Sequence, residues 1–102
     1  MAQIIKWTEA ATEDLSEVAQ FIARDAPFYA AALVRQARAA ALTLRHSANR
    51  GRIVPECGES DLREIFLKNF RLIYQITEST IYVLAFVHGA RDLTALWNKR
   101  VE

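Results

Sequence analysis

Apolar and polar residues recur along this chain with two different periods, and the period changes in a definite order. "QIIKW" at 3–7 is short and β-rich, and reads as a first strand. Ala11, Leu15, Val18 and Ile22 then recur at helical spacing, while Glu13, Asp14, Glu17 and Gln20 fall largely elsewhere. Thr8 offers a hydroxyl cap for that helix, and Glu9 puts a carboxylate near the positive end of its dipole. "RDAP" at 24–27 interrupts the pattern; Pro27 suits the first turn of a second helix, with Asp25 as its cap. Tyr29, Leu33, Ala37, Ala40 and Leu44 continue the second helix to about His46. Its many alanines suit close packing against the first.

The stretch 47–61, "SANRGRIVPECGESD", has no period and holds two of the three glycines and one of the two prolines, so it reads as a loop. Three β-like runs follow, about 62–67, 70–77 and 80–87, separated by "KN" and "ES". Two-residue gaps predict tight hairpins and an antiparallel meander. Phe70, Leu72, Tyr74 and Ile76 should meet the helices; Arg71, Ile73, Gln75 and Thr77 should face away, with Arg71 on the uncovered side of the sheet. The run 81–87 is apolar throughout and reads as a central strand. "RDLTALWNKR" at 91–100 reads as a short amphipathic ending with Leu93, Leu96 and Trp97 on one side. The expected architecture is a single α+β domain over 1–102, two-layered and ordered β-α-α-β-β-β(-α). A helical hairpin packs on one face of a small, mainly antiparallel sheet.

At 102 residues and 52% hydrophobic, the chain is long enough for one real core. The net charge of +1 conceals an asymmetry. Residues 1–34 carry two basic and five acidic side chains, whereas residues 35–102 carry eleven basic and seven acidic ones. A basic working surface on the C-terminal part is therefore available, although ordinary solvated helix faces produce the same count. Cys57 is the one cysteine, so no internal disulfide forms, and no thiolate or histidine cluster suggests a metal; no cofactor is expected. The first residues carry no charged-then-apolar leader and no apolar run approaches the ~20 residues of a spanning helix, so the expectation is a cytoplasmic protein without a membrane role.

The constellations of common enzymes are absent: no nucleophile elbow, no phosphate-cradling glycine loop, no metal-ligand pair. What remains is a set of cations around one sheet face: Arg50, Arg52, Arg63, Arg71, His88 and Arg91. The planar fork of arginine suits a phosphate or a carboxylate, because it donates two parallel charge-assisted hydrogen bonds. Each residue also has a structural reading. Arg63 beside Glu64 suits a pair across a hairpin, Arg71 an ordinary exposed strand position, His88 a hydrogen-bonded strand end, Asp92 after Arg91 a helix cap, and Trp97 core packing.

Taken in order, the string resembles the RelE/ParE superfamily of toxins from type II toxin–antitoxin modules. Its parts are "W-T-x-x-A-x-x-D-L" at 7–15, "G-R" at 51–52, "L-R-E-I" at 62–65, "F-R-L-I-Y-Q-I" at 70–76 and "V-H-G-A-R-D" at 87–92. The resemblance implies a growth-inhibitory toxin neutralised by a small cognate antitoxin, whose partly disordered arm folds across the helices and sheet. The pair can build a higher-order hetero-oligomer and touches operator DNA only through the antitoxin. Two targets divide the superfamily. RelE-like members cut messenger RNA in the ribosome; there Arg71 and Arg91 would hold phosphate, and His88 or Glu64 would move the proton. ParE-like members lack that set and are associated with poisoning DNA gyrase. Here "EIF" at 64–66 offers Glu64 and Phe66 where the RNA cutters carry lysines, and Trp97 stands where they often place a tyrosine. "HGARDL" at 88–93 is closer to the ParE-like ending. The expectation is a ParE-like toxin acting on gyrase, with Arg50, Arg52, Arg63, Arg71, Arg91 and Trp97 as target contacts; the alternative is a ribosome-dependent mRNA endonuclease.

Overall fold

The computed structural model describes residues 2–94. The elements are β1 (Ile4–Trp7), α1 (Glu9–Ala23), α2 (Pro27–Leu42), β2 (Arg52–Ile53), β3 (Leu62–Leu67), β4 (Phe70–Ile76) and β5 (Thr80–His88). Single 3-10 turns at Thr43–Arg45 and Ala48–Arg50 link α2 to β2. The sheet order is β1-β5-β4-β3-β2; β1 runs parallel to β5, and every other neighbouring pair is antiparallel. The helical hairpin on a small, mostly antiparallel sheet is the predicted fold, and β5 is the interior strand that its apolar run requires. The predicted ending at Leu96 and Trp97 lies outside the described residues.

Local chemistry explains the joints. The Thr8 hydroxyl accepts from the amide of Ala11 at 3.1 Å and donates to the carbonyl of Val83 at 3.0 Å, so one side chain caps α1 and ties it to β5. Asp25 does not cap α2; the cap position is Ala26, with no side-chain hydrogen bond. Proline at the start of α2 removes an amide that would have had no helical partner, which reduces the need for a cap. The "KN" hairpin turns with Lys68 at φ 55, the left-handed backbone that a two-residue loop demands.

The loop at 47–61 is less irregular than its composition suggests, because Arg52 and Ile53 pair with Glu64 and Arg63 as an edge strand. One residue of β5, Leu84, is skipped where the register passes from Ile73↔Ala85 to Tyr74↔Val83. Two residues beyond this bulge, the amide of Phe86 donates to the Asp14 carboxylate of α1 at 3.0 Å.

Two apolar clusters hold the layers together. Leu15, Leu33, Ala37, Ala41 and Leu44 pack on Leu72, Tyr74, Ile81, Val83 and Phe86. Alanine on the buried face of α2 lets the helix approach closely, and each fully buried Leu, Ile or Phe contributes about 1.5–3 kcal/mol. The alternation of β4 predicts this face correctly.

The other face departs from expectation. Val54 and Leu93 close over Ile73, Ala85 and Val87, with Cys57 packed against them. The sheet is therefore covered on both sides here, which is why 81–87 is apolar at every position. Arg71 does point away from the helices, but it is 3% exposed rather than open to solvent.

Candidate functional site

The predicted cations converge on the end of the sheet formed by β2, β3 and β4. Register brings them together. Arg52 lies opposite Glu64, and Phe66 lies opposite Arg71. Glu64, Phe66 and Arg71 fall on the face away from the helices; the loop that follows β2 brings Glu56 onto Arg71, while Phe66 stays exposed.

Arg71 sits at the centre. Its Nη1 donates to Glu64 Oε1 at 3.0 Å and to Glu56 Oε1 at 3.1 Å. Its Nη2 donates to Glu56 Oε2 at 2.9 Å and to the Arg91 carbonyl at 2.6 Å. Glu56 thus takes the guanidinium fork with both oxygens, the geometry in which arginine binds a carboxylate or a phosphate most strongly. Glu56 accordingly holds the Arg71 guanidinium above its usual range, and Arg71 holds the Glu56 carboxyl below the usual carboxylate range. The remaining donor, Nε of Arg71, is buried without a hydrogen-bond partner.

Glu64 is itself 1% exposed. Arg71 occupies one of its oxygens and Arg52 Nε the other. Both oxygens face guanidinium donors and the side chain is closed off from solvent, so a substrate proton has no open approach and the geometry does not suit Glu64 as a general base. Nor does Glu64 pair with Arg63. Arg63 instead donates through Nε to the Ser60 carbonyl at 3.0 Å and through Nη1 to the Gly51 carbonyl at 2.9 Å. It fastens the 47–61 segment to β3.

Tyr74 fixes the same segment from the core side. Its hydroxyl accepts from the Gly51 amide at 2.9 Å and donates to the Ala48 carbonyl at 2.7 Å. Burial pushes the phenol pKa up, which keeps the hydroxyl protonated and able to donate. A Cβ at position 51 would lie 2.5 Å from the Glu64 carbonyl oxygen and 2.6 Å from the Tyr74 hydroxyl, so only glycine fits. Arg50 and Arg52, on either side of Gly51, are thereby set in place. Arg50 donates to the Thr43 hydroxyl at 3.1 Å, and the Arg52 guanidinium lies 5.0 Å over the ring of Phe66.

His88 ends β5 exposed, with its ring edge toward Phe70 at 6.0 Å and Nδ1 accepting from the Ala90 amide at 3.1 Å. Arg91 contributes its carbonyl to Arg71, and its side chain is solvent-exposed. Asp92 accepts from the amide and hydroxyl of Thr94, the bond expected of a cap, and those bonds lower its pKa. Trp97 lies outside the described residues. The structure thus gathers Arg52, Glu64, Arg71 and the Arg91 backbone, places Arg50 alongside, and assigns Arg63 to loop anchoring. Glu56, Phe66 and Tyr74 complete the arrangement. Glu56 sits in an aperiodic loop and gives no sequence signal; Gly51 within "RGR" is the one local hint.

The sequence model of the family described as ParE toxin of type II toxin-antitoxin system, parDE, matches residues 5–93. No curated protein sequence matches. Among solved structures, the chromosomal ParDE system from P. aeruginosa is similar with a TM-score of 0.72 at 21% identity, over 85% of this chain and 96% of that one. A mutant of the E. coli toxin RelE in the free state is similar with a TM-score of 0.67 at 15% identity, over 99% and 96%. The toxin–antitoxin complex RelBE2 from Mycobacterium tuberculosis is similar with a TM-score of 0.57 at 22% identity, over 86% and 99%. At these identities the three structures carry the fold.

Proposed function

We propose, for a chain that belongs to the ParE toxin family of type II toxin–antitoxin systems, that it arrests growth by binding a protein target, DNA gyrase, and performs no hydrolysis of its own. The single observation that carries this reading is the state of Arg71. An RNA-cutting toxin needs that fork free for phosphate. Here Glu56 fills it with both oxygens, Glu64 and the Arg91 carbonyl take the remaining Nη contacts, and the side chain is 4% exposed. Replacing such contacts with a solvated phosphate would break buried ion pairs for little gain. Of the two proton-transfer candidates, Glu64 is buried and paired beside Arg71, and His88 lies exposed at the end of β5.

A small cognate antitoxin is the neutralising partner. Its seat, on this reading, is the groove between α1 and α2, a cleft of about 520 Å³ lined by Leu15, Ala19, Ala23, Ala30, Ala31 and Val34. Small residues along both walls leave room for an apolar segment of a partner helix.

Purified toxin added to gyrase and negatively supercoiled plasmid should yield cleaved or unsupercoiled DNA, and added antitoxin should restore supercoiling. The same toxin in a translation extract should leave a defined mRNA whole. Codon-linked cuts that vanish in Arg71→Ala would overturn the reading in favour of the endonuclease.

A further inference from the structure

Beyond that reading, we propose that the outer face of the α1–α2 hairpin is a self-pairing surface: two copies of this chain stack their helical layers about a two-fold axis running along the helices. The acidic α1 of each copy then lies on the basic α2 of the other. The inference does not depend on which protein the toxin targets.

Charge on this face is sorted by helix. α1 carries Glu9, Glu13 and Glu17 four positions apart, all exposed. α2 carries no acidic residue, and its Arg35 and Arg38 are exposed. Like charges three or four positions apart repel one another along a helix, so neither stripe helps its own helix. Among the described residues no ion pair engages any of these five; Arg38 lies over the Trp7 ring at 5.4 Å. The stripes complement each other, yet within one copy the groove keeps them apart: Thr12 and Ser16, not the carboxylates, line it together with Arg38.

A second copy supplies the missing match. The helices run antiparallel from their joint at 24–26, so Ala23 stands level with Pro27 and Thr12 with Arg38. Rotation about an axis along the helices keeps every residue at its own level. It therefore sets Glu13 and Glu17 of one copy against Arg35 and Arg38 of the other, twice over, as an isologous interface requires. The same operation brings Phe28, 91% exposed, toward Arg24 and Phe21 of the other copy. Phe21 is itself 70% exposed and already carries the Arg24 guanidinium at 5.7 Å. Apolar surface rimmed by charge is the ordinary mark of an interaction site. Ala31 and Ala39, exposed on α2, let the two layers approach closely.

Size sets the strength. Helices of 15 and 16 residues are about 23 Å long at about 1.5 Å per residue, and two side by side span about 20 Å. The footprint is roughly 900 Å² over both copies, below the ~1,200 Å² at which stable specific interfaces begin. The pairing is therefore weak and reversible, populated at high concentration and absent from dilute samples. It covers the α1–α2 groove, so, on the seat proposed above for the antitoxin, a toxin is either self-paired or neutralised.

The test is sedimentation equilibrium of the full-length toxin alone, from about 5 to about 500 μM. Wild type should pass from monomer to dimer with a dissociation constant of roughly 10–100 μM, weakening several-fold as salt is raised. Glu13→Arg with Glu17→Arg should be monomeric, and so should Arg35→Glu with Arg38→Glu. Mixed in equal amounts, these two variants should form a heterodimer, because both helices are then basic in one and acidic in the other. Phe28→Ser should weaken wild-type pairing about ten-fold. All the replaced residues are exposed, and circular dichroism checks that each variant is folded. Four results would each overturn the proposal: a wild type monomeric throughout, which leaves the face to the antitoxin; charge-reversed variants that pair alone as wild type does; folded variants that stay apart when mixed; or Phe28→Ser pairing at full strength. Neither antitoxin nor gyrase is present, so such a failure leaves the proposed function standing.

Discussion

Replacing Arg71 by alanine should cost about 3 kcal/mol of stability, and the figure follows from its two carboxylate partners taken separately. Glu56 is partly exposed, its side chain 24% accessible, and can turn to water when the guanidinium is lost, so that half costs about 0–1 kcal/mol. Glu64 has 0% of its side chain accessible and cannot. Removing one partner of a buried pair costs about 3–5 kcal/mol. Arg52 keeps hold of the second Glu64 oxygen, which places the expectation at the lower end. Against a total stability of about 5–15 kcal/mol, this is a large fraction. At about 4 °C or more per kcal/mol for a domain of this size, the melting temperature should fall by at least about 12 °C. Thermal melts and urea titrations of Arg71→Ala, Glu56→Ala and Glu64→Ala measure all three, and Glu56→Ala should lose about 1–3 kcal/mol, because it takes two charge-assisted hydrogen bonds from the buried Arg71 while Glu64 remains. The paired replacement Arg71→Met with Glu64→Leu should recover most of the loss, because no charge is then left buried. A loss below about 1 kcal/mol in both Arg71→Ala and Glu64→Ala would show that the cluster does not hold the sheet, and the argument against a free phosphate fork would fail with it.

Gly51→Ala should destabilise by about 1–3 kcal/mol, since the new methyl meets a backbone carbonyl and the Tyr74 hydroxyl; a wild-type melt would refute the close approach. Asp14→Ala should lose about 1–3 kcal/mol by leaving the Phe86 amide short of an acceptor beside the bulge, read by urea titration and by faster hydrogen exchange at that amide. Arg71 depresses the Glu56 pKa in the folded state, so this pair's contribution is complete above the ordinary carboxylate range and is lost as pH falls through the lowered value. Stability should therefore decline on acidification, and Glu56→Gln should flatten part of that decline; an unchanged slope would remove Glu56 as a source. Ala31→Glu, at an exposed position on the α1–α2 groove, should leave melting within about 0.5 kcal/mol of wild type yet weaken antitoxin binding at least ten-fold in calorimetry.

Periodicity along the chain was enough to determine the order of elements, the hairpin of helices, the helix-facing set Phe70, Leu72, Tyr74 and Ile76, and the interior place of the last strand. These are local and nearest-neighbour properties: a period of 3.6 or 2 states which residues share a face, and a two-residue gap states which strands pair. Arg71 shows where that logic stops. Alternation correctly turned it away from the helices but could not say what covers the opposite face, because Val54 comes from an aperiodic loop and the pattern of the ending that holds Leu93 does not name the surface it packs on. Glu56 reaches Arg71 across fifteen positions of sequence, and Tyr74 reaches Gly51 across twenty-three. Arg52 and Phe66 stack only because a two-residue strand, hidden in a loop rich in glycine and proline, takes its register from Glu64. The sequence by itself decided which side chains are cations and which face each strand presents. Only the tertiary structure decided which of those cations are neutralised inside the protein and which remain exposed. Ion pairing depends on distances of about 3 Å between groups brought together by the fold, and no local pattern encodes them.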